Sequence, residues 1–125
     1  MTARTQNAGL ARMTSLLVAA SWYLQWGTGS GAAATANAVT TTTTTEARVA
    51  ATVTQATVTV SNDTLQLTGT LTAAGTRSIT EIGVFDTAGA GSPPTGGNMD
   101  LYSDFGVVTL ATGDSIAFTI KVTYS

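Results

Sequence analysis

Ser115-Ile116-Ala117-Phe118-Thr119-Ile120-Lys121-Val122-Thr123-Tyr124 alternates apolar and polar residues without a break. Ile116, Phe118, Ile120, Val122 and Tyr124 fall on one side, and Ser115, Ala117, Thr119, Lys121 and Thr123 on the other. A period of two marks a strand with one face turned to a core. The stretch is entered through Thr112-Gly113-Asp114, a tight-turn signal.

Reading towards the N-terminus, the same grammar repeats. Met99, Leu101 and Phe105 alternate with polar residues, and Val107-Val108-Thr109-Leu110 continues beyond Gly106. Before them lies a Gly/Ala/Ser/Pro loop from Thr87 to Asn98, which Pro93-Pro94 keeps out of any sheet. Ser78 to Asp86 reads as a strand. Ala74-Gly75-Thr76 is a reversal, and Leu65, Leu67 and Leu71 alternate with Gln66, Thr68, Thr70 and Thr72 in another strand after the Ser61-Asn62-Asp63 turn. Val49 to Val60 is Thr-Val rich, but its apolar parity switches between Val53 and Val58, which predicts a bulge or bend near Gln55-Ala56.

About six strands with one apolar face each predict a mainly β fold, an antiparallel two-sheet sandwich of the jelly-roll or immunoglobulin-like kind. The outward faces carry Thr, Ser, Gln and Ala, with few of the lysines that guard sheet edges in monomers. Such edges are expected to be covered by neighbours in a homo-oligomer or a larger assembly.

The first 45 residues read differently. Leu10, Met13, Leu16 and Leu17 recur at helical spacing, with Asn7 as a candidate cap. Ser21-Trp22-Tyr23-Leu24-Gln25-Trp26 holds both tryptophans of a chain that is 6% aromatic, which marks an anchoring point in the core or in a partner. A glycine-rich stretch, an Ala-rich stretch and the threonines Thr40 to Thr45 follow as an extended connector. The expected organisation is therefore an extended N-terminal arm carrying a short helix (1–45) and a β-sandwich domain (46–125). Leu10, Met13, Leu16, Leu17, Trp22, Tyr23 and Trp26 are the interface candidates.

Composition narrows the chemistry. The 125 residues contain no Cys and no His, so thiolate, imidazole and the usual zinc, haem or iron-sulfur ligands are absent. Five basic against seven acidic residues, a net charge of -2, provide no phosphate-neutralising patch, so no nucleic-acid partner is expected. Leu16-Leu17-Val18-Ala19-Ala20 is far shorter than the ~20 residues that cross a bilayer, and it is a poor match to a secretory signal. Only 10% of residues are charged, against the roughly 25% typical of soluble domains.

Three constellations bear on chemistry. Gly27-Thr28-Gly29-Ser30-Gly31-Ala32 satisfies the spacing of a dinucleotide fingerprint, yet no βα alternation follows, so a turn is the better reading. Glu81, Asp86, Asp100, Asp104 and Asp114 match no calcium loop and lack a partnering base or nucleophile. Glu81, set between apolar residues, is expected to pair with Arg77 or Arg48. Trp22, Tyr23 and Trp26 suit a core or a protein interface better than a sugar platform. No catalytic residue, cofactor or metal is expected.

Asn7-Ala8-Gly9-Leu10-Ala11-Arg12, Tyr23-Leu24-Gln25-Trp26-Gly27-Thr28-Gly29, Glu46-Ala47-Arg48-Val49, Ile79-Thr80-Glu81-Ile82-Gly83-Val84-Phe85-Asp86 and Gly113-Asp114-Ser115-Ile116, in that order, resemble a family of small structural proteins of tailed-bacteriophage virions. The chain departs from that pattern in the threonine tract and in a lengthened Gly89–Gly97 loop. The resemblance implies a capsid decoration or cement protein, a homotrimer on the major capsid protein at the capsid surface, synthesised in the host cytoplasm. The alternative it implies is a tail-fibre or baseplate-associated host-binding module.

Overall fold

The computed structural model describes residues 1–40 and 45–125. Helix α1 spans Asn7–Val18, and seven strands follow: β1 (Tyr23–Gly27), β2 (Val49–Ala50), β3 (Thr52–Ala56), β4 (Thr64–Thr72), β5 (Arg77–Phe85), β6 (Met99–Leu110) and β7 (Ser115–Thr123). They form two antiparallel sheets, one ordered β2-β1-β5-β6 and the other β3-β4-β7. The chain is thus a mainly β, two-sheet sandwich with one short N-terminal helix. Its four-plus-three division matches an immunoglobulin constant domain, reached with a different strand order. Of the threonine tract read as an extended connector, Thr41 to Thr44 lie outside the described residues.

The core lies between the sheets. Leu24 and Trp26 from β1, Ile79, Ile82 and Val84 from β5, and Leu110 from β6 meet Leu65, Leu67 and Leu71 of β4. Gly69 allows the sheets to close at this point, since a Cβ there would lie 2.7 Å from Leu24 Cδ1.

The expected boundary between arm and domain at residue 45 is not a structural boundary. Strand β1 pairs with β2 on one side and with β5 on the other, so the aromatic segment is an interior strand of the larger sheet. Its β-propensity and the alternation of Leu24 and Trp26 into the core favour this position.

The parity switch in Val49–Val60 coincides with a bend over Val58–Val60, just past Gln55-Ala56, rather than with a bulge inside β3. Ala51 carries the chain from one sheet to the other, its N–H donating to Trp22 O at 2.8 Å, and β3 ends at Ala56. Residues Val58 to Val60 then wrap the carboxylate of Asp63.

Helix α1 begins at Asn7, with Gln6 in the cap position and no side-chain cap, so Asn7 is a helical residue rather than the cap. The buried face is Leu10 and Thr14, with Leu17 and Val18 packed against the core. That face is rotated from the Leu10-Met13-Leu16-Leu17 stripe, and Leu16 is 65% exposed. The reason is polar: Thr14 Oγ1 donates to Asn62 O at 2.6 Å, and Gln55 Nε2 on β3 donates to Thr14 Oγ1 at 2.7 Å and to Ala11 O at 2.9 Å.

Candidate assembly interface

The sandwich is closed on one side and open on the other. Strands β6 and β7 are the outer strands of their respective sheets, and among the described residues nothing pairs with their free edges. The two sheets part there, leaving a groove of about 430 Å³. Ile82 and Val84 of β5 form its floor, with Leu101 and Phe105 on one wall and Phe118, Ile120 and Val122 on the other.

The strand with the clearest alternation therefore has no fully buried residue. Its apolar residues Ile116, Phe118, Ile120 and Val122 are only half-buried, whereas Leu65, Leu67 and Leu71 on neighbouring β4 are fully buried. Beside the groove, Val107 is 62% exposed. Contiguous apolar surface of this kind, flanked by two unpaired strand edges, is the usual mark of a contact surface.

The interface candidates of the N-terminal segment are scattered rather than gathered. Trp26 is wholly buried, Trp22 is buried with its Nε1 donating to Leu17 O at 2.8 Å, and Leu10 is buried under the helix. Leu17 and Tyr23 are half-buried. Met13 and Leu16 alone of the set are exposed. With both tryptophans inside the fold, they do not form an open sugar-stacking platform.

Several of the acidic residues are held by groups of the chain itself. Glu81 is fully buried on β5 and accepts hydrogen bonds from Gly29 N at 3.2 Å, Thr40 N at 3.1 Å and Tyr102 Oη at 2.7 Å. Asp104 accepts from Gly31 N at 2.9 Å. The amides of the Gly27–Ala32 motif, which a nucleotide phosphate would need, are thus turned onto the chain's own carboxylates. Partial burial, together with the bond to Glu81, raises the Tyr102 phenol above its ordinary value.

The expected arginine partners are engaged elsewhere. Arg77 pairs with Glu46 at 3.0 Å. Glu46 also accepts from Ala74 N, and these contacts outweigh desolvation to hold its carboxyl below the ordinary value. Arg48 lies 3.6 Å over the Phe85 ring and donates to Gln25 Oε1, Thr87 O and Gly96 O, while Gln25 Nε2 donates to Pro94 O. This cluster fastens the long loop to the sheet. Asp86 closes the loop's base through Asn98 N and Nδ2, which lowers its pKa.

Asp63 is the strongest of these internal anchors. Its carboxylate accepts from Val58 N, Thr59 N and Val60 N at 2.8 to 3.0 Å and from Thr64 Oγ1 at 2.8 Å. Three backbone amides on one carboxylate pull its pKa far below the ordinary range. The sequence showed only a turn signal at this position, because the donors are backbone groups.

Among the described residues, no group of three His, Cys, Asp or Glu side chains is placed to hold a metal ion, and no helix is long and apolar enough to cross a membrane. Comparison with protein-family models, with curated proteins and with solved structures finds no match to this chain.

Proposed function

We propose that this chain is a non-enzymatic structural protein that works as a repeated part of a larger assembly, most specifically a decoration or cement protein of a phage capsid. The observation that carries the assembly reading is the open β6/β7 edge, with its apolar groove between the unpaired outer edges of two long strands. The low charge and the threonine-covered faces agree with a surface that meets protein rather than bulk water.

The virion part of the proposal rests on the ordered motifs that resemble the phage family; the comparisons add nothing to it. In this reading the protein is a trimer on the major capsid protein. Met13 and Leu16, the exposed apolar residues of α1, face the shell. They are held on a rigid element, since α1 is bound to the sandwich through Thr14 and Trp22.

Particles lacking the protein test this reading. They are expected to adsorb to host cells normally and to lose genome under heating or osmotic shock. Particles that stay robust and fail to adsorb would instead indicate the host-binding module.

A further inference from the structure

Strands β6 and β7 are joined by the Ala111–Asp114 turn, and Phe105 meets Phe118 with ring centroids 6.1 Å apart. The two strands therefore run antiparallel at the same height, one at the edge of each sheet. We propose that a second copy of this chain covers this edge, with β6 of one copy hydrogen-bonded antiparallel to β7 of the next in a closed ring whose axis runs along the strands. The contact deepens the assembly reading above and rests on it.

Symmetry fixes both direction and register. A rotation about an axis parallel to the strands preserves their direction, so β6 remains antiparallel to β7 of any neighbour. A closed ring has no translation along its axis. The height relation within one copy is thus carried to the neighbour, and Phe105 stands opposite Phe118 of the next copy. Counting outward, Ser103 meets Ile120, Leu101 meets Val122, and Tyr102 meets Lys121. Groove-facing residues meet groove-facing residues, as a continuous sheet requires.

Charge agrees with this pairing. Strand β6 carries Asp100 and Asp104 and no cation, while β7 carries Lys121 and no acid. The derived register sets Lys121 diagonally between the two aspartates on the outer face. Pairing β6 with β6 would bring its aspartates together, and pairing β7 with β7 would leave β6 open. Partial desolvation and the nearby negative charge of Asp86 raise the Asp100 pKa, and the lysine of a neighbour would relieve that spot.

The size is adequate. A nine-residue edge is ~30 Å long, and two sheets ~10 Å apart with their outer side chains give a strip ~20 Å across. Each copy thereby covers roughly 600 Å², near the ~800 Å² per partner of a stable interface.

The natural absence of cysteine makes the test direct. Asp100→Cys/Thr123→Cys places two thiols on the outer faces of different sheets, opposite each other only between copies. Mild oxidation of this full-length variant is expected to give covalent multimers on a non-reducing gel, and Asp100→Cys/Ala117→Cys, six residues out of register, to remain a single chain. A second readout keeps the test sound: in the unmodified chain, amide exchange along β6 and β7 is expected to slow at least tenfold as concentration rises. An oligomer with neither cross-link nor protection at this edge overturns the contact and leaves the assembly reading standing. A monomer overturns both.

Discussion

Phe105 and Phe118 face each other across the open edge with ring planes tilted by 53°. They are the only large aromatic pair that joins the two sheets in ring contact among the described residues, and they stand where the sheets part rather than in the closed core. A pair in this position contributes little to a solitary sandwich and much to a shared one. Phe118→Lys is expected to leave the far-ultraviolet circular dichroism unchanged and to abolish self-association, as measured by light scattering. A variant that unfolds would place Phe118 in the core of the single copy.

Lys121 tests the electrostatic side of the contact. Lys121→Glu sets three acids together on the outer face and is expected to weaken self-association roughly tenfold at low salt, with the deficit shrinking as salt rises. Adding Asp100→Lys should restore most of the loss, which a purely structural role for Lys121 would not allow.

At the closed side, Gly69 and Leu24 set the distance between the sheets. Gly69→Val drives a branched side chain into Leu24 and is expected to cost about 1–3 kcal/mol in urea unfolding. No change would show that the sheets are freer to separate there than the contact implies.

How much of this was legible in the sequence depended on how local each signal was. The alternation of β7 reports a strand whatever covers it, and the Thr112-Gly113-Asp114 signal before it marks a turn in the structure. The same alternation could not reveal that its apolar face lacks a full partner sheet, because a residue facing a neighbour looks like one facing a core. Strand β1 reads as part of an arm for the opposite reason: its partner β5 lies more than fifty residues away, with three other strands between them in sequence. Glu81 reads as the partner of an arginine and Asp63 as a turn residue, whereas the donors to both are largely backbone amides, which every residue but proline offers and no pattern marks.

The Asp63 anchor predicts an acid transition. Its folded pKa lies well below the unfolded value of about 3.9, so the folded state favours the charged form. The stabilisation is complete above that value and is lost progressively as pH falls from it towards the lower folded pKa. Glu46 and Asp86 shift the same way and add to the effect. Melting temperature is expected to be level from pH 7 to about 5 and to fall steeply below about 4. Asp63→Asn should be less stable than the parent at neutral pH, with the gap narrowing in acid. A constant gap would mean that the charge itself is not what the amides hold.

Glu81 predicts a local effect. Glu81→Ala removes the acceptor for Gly29, Thr40 and Tyr102, at an expected cost of about 2–3 kcal/mol. Limited proteolysis should cut first between Gly29 and Thr40 while the sheets persist. Cleavage beginning elsewhere would place the role of Glu81 in the sheet itself.

The central claim is that the open β6/β7 edge is a surface for copies of this chain, and sedimentation equilibrium on the full chain tests it most directly. The predicted mass is three times 12.6 kDa for the unmodified chain and 12.6 kDa for folded Phe118→Lys. A single 12.6 kDa species for both, at the highest concentration reached, would contradict it.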